Sequence, residues 1–463
     1  MQIQLLILIL YFLIVIAVGT FASRKVKGGG SRFLLGGRQL GPLMVAAALA
    51  GEWLGGTSTV GTAEYGFISG ISGSWYCISN AVGTIILAFT LAAFYRRSKA
   101  VTATELLEKY QSPSTRVVGA VLLAICMIMV GSVQIVSGGV LMAAVLQMDY
   151  RLMMVIMGVV FLAYTLAGGL LAIGYTNMLH IVVCYIGCIL ALFVANGMMD
   201  GGFETLQTSL PPSFFSMTGM GGMKVADWFT TSVLAALVAQ AAIQPVMGAR
   251  DERTARNGAL MGALIILPLG FITALLGMYS RVIFPGIGSK EALPTLLMNI
   301  DPALGGVVLA GVTAAILSTV APCILAGGTL ITRDLHTRFF SSQLDERETL
   351  KFSRIYTLIC GIIAIVLALY VPVILDQMYF AYTFRAMIAV ILVASVTWKR
   401  THPVASISSL IVAVVVASAW RFFYLEHGAY PFGLGMIFAT LLFSIPVLLI
   451  VSMVLKRKVS AGQ

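Results

Sequence analysis

Along most of the chain, apolar residues run unbroken for about twenty positions between short polar or charged stretches, and a helix of that length matches the hydrocarbon thickness of a bilayer. Runs such as Leu152 to Leu171 and Ile355 to Pro372 are continuous, which excludes the alternating strands of about ten residues that build a membrane β-barrel. Thirteen helices are predicted, approximately at 2–20, 41–67, 74–95, 117–147, 152–173, 178–199, 228–247, 258–283, 304–332, 353–373, 375–398, 403–424 and 431–455. The first has no basic residue ahead of its apolar stretch, its first positive charge being Arg24, so it reads as a span and not as a cleaved signal peptide. The expected class is an all-α integral membrane protein of about 13 transmembrane helices.

Two of the polar connections are expected to have structure of their own. Thr102 to Tyr110 opens with Thr102 and places Glu105 three residues later, the arrangement of a capping box, with Leu106, Leu107 and Tyr110 along one face. It is predicted to lie as a short amphipathic helix on the cytoplasmic surface. The stretch from Asp200 to Asp227, with Pro211, Pro212 and several glycines, is the longest external connection and reads as a surface loop.

Composition agrees: 59% of the 463 residues are apolar and only 10% charged, against roughly 25% charged in a soluble domain. A water-soluble globule is excluded. The net charge of +11 would suit nucleic acid, but 23 of the 29 Lys and Arg fall in the connections after runs 1, 3, 7, 9 and 11 and in the C-terminal tail. The opposite side has Arg151, Lys224, Arg281, Lys290 and Arg421, and Arg385 lies within a run. That asymmetry predicts a multi-pass protein of the cell membrane, a bacterial plasma or inner membrane, with the N-terminus outside and the C-terminus in the cytoplasm. The charge thus follows the bilayer, and nucleic acid is excluded as a partner.

The cysteines Cys77, Cys126, Cys184, Cys188, Cys323 and Cys360 lie inside apolar runs without the spacing of a metal or disulfide framework. They read as small core residues. His180, deep in the sixth run, is expected to bond to a neighbouring helix.

The second run contains AGEWLGGTSTVGTAEYG, in which Gly51, Gly55, Gly56 and Gly61 accompany Glu52, Thr57, Ser58, Thr59 and Thr62. Unsatisfied polar groups cost several kcal/mol each in hydrocarbon, so this helix is predicted to be broken and to line a wet cavity. The seventh run carries Gln240, Gln244, Pro245 and Gly248, again a polar stripe with a breaker. Runs 2–6 and 7–11 form two sets of five that start on opposite sides of the membrane, each opening with an interrupted helix, which is the pattern of an inverted-repeat transporter with its site at the midplane. In the ninth run, Ser318 and Thr319 lie three and four residues after Ala315, so both hydroxyls project over the turn that supplies its carbonyl. That geometry offers three oxygens to a small hard cation.

Several motifs together resemble the sodium:solute symporter family, over nearly the whole chain from run 1 to run 11. They are GGRQLGP before run 2, GGTSTVGTAEYGFISG, TATELLEKY, YTLAGGLLAIGYTN at 164–177, the Ala315, Ser318 and Thr319 group followed by TRDL at 332–335, and TWKR closing run 11. The resemblance implies the LeuT-like five-plus-five inverted repeat with one extra N-terminal helix and two C-terminal helices. The division is then 1–40 (extra helix and basic loop), 41–199 (first repeat), 200–227 (external loop), 228–398 (second repeat) and 399–463 (C-terminal helices and tail). It also implies a sodium site at Gly51, Leu54, Ala315, Ser318 and Thr319, with no other metal and no cofactor. Many members have Thr-Asp where this chain has Thr176 and Asn177, and that departure argues for one coupling Na⁺.

The function implied is a Na⁺-coupled secondary-active symporter that imports a small polar organic solute by alternating access, and not an enzyme. Its partners are the solute, Na⁺ and the bilayer. A transporter-like sensor module, or a proton-coupled, sugar or other neutral-solute transporter, is the alternative. The solute-contacting positions of the family's sugar and proline transporters are not reproduced: Trp53, Ser58 and Gln240 occupy comparable places without their partners, so they are candidate solute contacts but the solute does not carry over. Glu52 and Arg385 are charges within runs, each costly against lipid. Either they bond to each other and hold helices together, or Arg385 receives a solute carboxylate while Glu52 faces an ammonium group or the sodium. The second option favours a carboxylate or amino-acid-like solute.

Overall fold

In a bilayer every backbone polar group needs an internal partner, so a chain of apolar runs has to fold as helices and has to cover any break it makes. The structure, a computed structural model, describes residues 2–24, 34–340, 344–370, 374–398 and 400–455. Its helices are α1 (Gln2–Arg24), α2 (Pro42–Trp53), α3 (Thr62–Ser69), α4 (Trp75–Thr90), α5 (Ala92–Ser98), α6 (Ala103–Tyr110), α7 (Pro113–Leu146), α8 (Tyr150–Gly197) and α9 (Gly202–Ser209). There follow α10 (Gly222–Ala236), α11 (Gln240–Met247), α12 (Glu252–Ile283), α13 (Ala292–Met298), α14 (Pro302–Leu330), α15 (Glu346–Ala368), α16 (Ile374–Thr397), α17 (Pro403–His427) and α18 (Met436–Val454). Among the described residues, ten helices are long and apolar enough to cross a membrane. Three shorter apolar helices, Leu6–Val15, Pro42–Trp53 and Tyr150–Leu166, correspond to the first, second and fifth runs.

The second run is broken. Pro42 sits in the first turn of α2, where its missing N–H costs nothing. The helix stops at Leu54, whose φ/ψ of −90°/57° leaves the helical region, and resumes as a π-helical turn over Thr57–Gly61 that leads into α3. Gln134 on α7 accepts from the Gly56 N–H at 2.6 Å, so a side chain covers an amide exposed by the break.

The seventh run is broken too, but not where Pro245 and Gly248 suggested. Pro245 is carried inside α11, and the interruption falls at Leu237–Ala239. There Tyr95 donates its hydroxyl to the Leu237 carbonyl at 2.7 Å. A parallel bridge between Leu40 and Ala249 ties the entry to α2 to the exit from α11.

The expected interruption between the fifth and sixth runs is not a gap in helical hydrogen bonding, because α8 runs from Tyr150 to Gly197. The Tyr164 and Thr176 hydroxyls nonetheless hydrogen-bond, and twelve residues of straight helix would separate them by about 18 Å. The helix therefore bends sharply between them. His180 meets the Tyr11 hydroxyl of α1, the neighbouring-helix bond expected of it.

At the centre stands α14, buried on nearly every face from Gly305 to Leu330, as befits a helix apolar all round. It packs on α8, α7, α1, α15 and α2. α6 departs from expectation in two ways. Thr102 accepts from the Glu105 N–H, but Glu105 reaches back to the Val101 N–H at 2.8 Å, so the box closes one residue early. Its Leu106 and Leu107 are buried against protein, α6 packing on α7 and α16, so its apolar face is spent within the bundle.

Candidate functional site

The break of α2 and the middle of α14 meet. Ser318 Oγ donates to the Leu54 carbonyl at 3.0 Å and to the Ala315 carbonyl at 2.8 Å. Thr319 Oγ1 donates to the Gly51 carbonyl at 2.5 Å and lies 3.5 Å from that of Ala315. All five oxygens named from the sequence are thereby in one cluster of three carbonyls and two hydroxyls. Two of the carbonyls are reachable because α2 ends there. A hydroxyl offers lone pairs once its hydrogen rotates away, so the set suits a small hard cation that sheds water for neutral oxygen ligands.

Close approach explains two glycines. A Cβ on Gly51 would collide with the Asn177 amide and the Ser318 carbonyl, and one on Gly55 with Thr319 Oγ1 and Gln134 Oε1. Asn177 sits at the edge of the cluster, with Nδ2 3.3 Å from the Ser318 carbonyl and 3.4 Å from that of Ala47.

One residue along, the buried charges pair. Arg385 Nη2 lies 2.6 Å from Glu52 Oε1, both side chains being fully buried. Cys323, one turn beyond Thr319 on α14, donates its thiol to Glu52 Oε2 at 3.1 Å. The guanidinium carbon lies 5.5 Å from the Trp53 ring centroid and 4.9 Å from that of Tyr382, the flanking expected of an Arg in an aromatic site. Tyr382 continues to Tyr76 at 3.3 Å, which accepts from Thr57 Oγ1 at 2.9 Å. Glu52, Trp53 and Arg385 are thus brought together.

Ser58 and Gln240 are not. Ser58 Oγ turns back to the Gly55 carbonyl at 2.9 Å, while its own carbonyl accepts from Thr273 on α12. Gln240 accepts from the Ala103 N–H and donates to the Val101 carbonyl, both at 3.0 Å, and so ties α11 to the start of α6. Sequence reasoning missed Cys323, Tyr76, Tyr382 and Gln134. For Tyr382 a signal existed, since Tyr379, Tyr382 and Arg385 recur at three-residue spacing and share a face of α16.

Side-chain contacts tie helices together at both ends of the bundle. At one, Lys224 donates to the Tyr65 hydroxyl at 3.0 Å, Tyr65 donates to Asp376 at 2.8 Å, and Trp228 stacks on Tyr379 at 4.4 Å. At the Lys/Arg-rich end, Asp334 accepts from Thr102 at 3.0 Å, Thr104 at 2.8 Å and Arg116 at 2.6 Å.

A helical membrane bundle that breaks a helix beside a neutral cage of oxygens is the architecture of an ion-driven transporter. The sodium:solute symporter family model matches residues 33–413, and the chain belongs to that family. It is 24% identical to the osmoregulated proline transporter OpuE of Bacillus subtilis (strain 168), the alignment covering 100% of this chain and 97% of the relative. It is 26% identical to the human sodium/myo-inositol cotransporter 2, over 86% of this chain and 66% of the relative. A solved structure of a Na⁺-coupled sialic acid symporter, in a substrate-bound outward-open state, superposes with a TM-score of 0.81 at 15% identity, covering 98% of each chain. The fold is that of the LeuT-type transporters. The protein is a multi-pass membrane transporter and not an enzyme, and Na⁺-coupled symport is the activity its family membership supports.

Proposed function

We propose that this symporter imports a small polar organic solute bearing a carboxylate, a simple acid or an amino-acid-like molecule, with one Na⁺ per solute. The Na⁺ is assigned to the Gly51, Leu54 and Ala315 carbonyls and the Ser318 and Thr319 hydroxyls. The observation that carries the reading is the convergence of these five oxygens on the break of α2. An ion there draws α14 and the loose end of α2 together, so it biases the conformational equilibrium that the solute then completes. Glu52, Trp53 and Arg385 are the solute contacts. Ser58 and Gln240 are left out, their polar atoms being engaged elsewhere. Asn177 supports the single ion, because it turns N–H donors on the Ser318 carbonyl and so competes with a second cation for that oxygen. The distribution of Lys and Arg supports a plasma-membrane location with the N-terminus outside.

The test is thermal stability of the purified protein titrated with NaCl against choline chloride at constant ionic strength, since a ligand of the native state stabilises it. Na⁺ is expected to protect, and Ser318→Ala or Thr319→Ala to raise the half-saturating concentration tenfold or more, about 1.4 kcal/mol. Equal stability in Na⁺, K⁺ and choline would remove the ion from this cluster.

A further inference from the structure

The central charge pair narrows the solute further, resting on the reading that the Glu52–Arg385 cluster is the solute site. Glu52, Trp53, Thr57, Tyr76, Cys323, Tyr382 and Arg385 form one connected set of buried side chains. Within it, the buried polar atoms without a hydrogen-bond partner are Trp53 Nε1, Arg385 Nε and Arg385 Nη1. All three are N–H donors. Buried donors are rarely left without acceptors, so the set is short of acceptor atoms. An ammonium group would need the opposite, and the one carboxylate present is already engaged on both oxygens, by Arg385 at 2.6 Å and Cys323 at 3.1 Å.

The guanidinium has donors to spare. It carries five N–H groups in a planar fork, and Glu52 bonds Nη2 alone. A second N–H of Nη2, with Nη1 or Nε beside it, leaves a two-donor edge of the kind that binds a carboxylate in bidentate fashion. Two carboxylates can therefore share Arg385.

Charge counting gives the same answer. Glu52 and Arg385 cancel, and the oxygen cluster next to them carries no formal charge, so one Na⁺ makes the centre positive by one. Uncompensated buried charge is costly. A monoanion cancels it, whereas a zwitterion or a neutral polyol does not. We infer that the solute is a small monocarboxylate without an amino group, held by the free edge of Arg385 and the Trp53 N–H beside the Trp53–Tyr382 ring pair, and that transport with one Na⁺ is electroneutral.

The experiment uses the full-length protein in proteoliposomes with an inward Na⁺ gradient, offered radiolabelled acetate, propionate, L-lactate and pyruvate, with L-proline and myo-inositol as contrasts. At least one of the four acids is expected to accumulate, at a rate unchanged by an inside-negative potential set with K⁺ and valinomycin. Accumulation of L-proline or myo-inositol in place of the acids, acceleration by the potential, or accumulation of none of the four overturns the inference. Na⁺-driven uptake of proline or inositol would leave the sodium reading standing while removing the solute class. Uptake of an acid that ignores Na⁺ would do the reverse. Trp53→Phe, which keeps the ring and deletes one donor, is expected to raise the half-saturating concentration of the transported acid about tenfold. Half-saturation by Na⁺ alone, read from thermal stability, stays unchanged; loss of both together would mark Trp53 as structural and overturn its assignment.

Discussion

Asn177 Nδ2 lies 3.3 Å from the carbonyl oxygen of Ser318, the residue whose hydroxyl bridges Leu54 and Ala315. The amide thus directs donors at the rim of the oxygen cluster, and it fills the space into which Gly51 would project a side chain.

Gly51→Ala is therefore expected to push Asn177 and the Ser318 carbonyl outward and to weaken Na⁺ binding at least tenfold, measured by Na⁺-dependent thermal stability. Gly51→Ala combined with Asn177→Ala should recover part of the loss, because the amide is what the new methyl meets. No recovery in the double variant would place the strain at Ser318 instead.

Asn177→Asp exchanges those N–H donors for oxygens that carry charge. Reversal potentials in proteoliposomes are expected to give one Na⁺ per solute for the native chain, and the aspartate variant a steeper, cooperative Na⁺ dependence. A ratio of two in the native protein would show that the amide does not set the ion count.

Breaking the buried pair at one end leaves a charge alone. Arg385→Gln or Glu52→Gln should each cost about 3–5 kcal/mol of stability, whereas the double glutamine variant should cost much less than the two added. Unfolding in graded denaturing detergent measures all three, and additivity would mean that the pair is not coupled.

The Tyr65 hydroxyl joins Lys224 of α10 to Asp376 of α16. Tyr65→Phe removes that link while keeping the ring under Lys224, so it should loosen this end. The six cysteines are buried, and Cys323 beside Glu52 reports on access to the centre. Its rate of alkylation by a small membrane-impermeant thiol reagent is expected to rise several-fold in Tyr65→Phe, and an unchanged rate would mean that the aromatic stack closes this end alone.

The break of α2 was legible because glycines, hydroxyls and a carboxylate in one apolar run have no stable place against lipid. The five oxygens were legible because two of the hydroxyls sit at fixed helical offsets from Ala315 and the family pattern supplied the rest. The position of the break in the seventh run was not, since Leu237 to Ala239 contains neither glycine nor proline. It is held by partners remote in sequence, the Tyr95 hydroxyl on Leu237 and the Gln240 side chain on Val101 and Ala103. Gln240 occupies a place comparable with solute contacts in the family, and a buried amide on a broken helix looks the same in sequence whether it faces a ligand or a backbone. Cys323 carried no signal at all, as a cysteine among alanines reads as packing until its carboxylate neighbour is known.

The Gly56 amide covered by Gln134 has a consequence for how the protein is made. A break of this kind cannot stand in bare lipid, where its amide and carbonyls would have no partners. The broken segment from Pro42 to Ser69 is therefore satisfied only when α7 brings Gln134 and α14 brings Ser318 and Thr319 against it. Since α14 begins some 250 residues after Gly51, the carbonyls proposed for Na⁺ gain those partners late in biosynthesis, and a chain truncated before α14 would lack them.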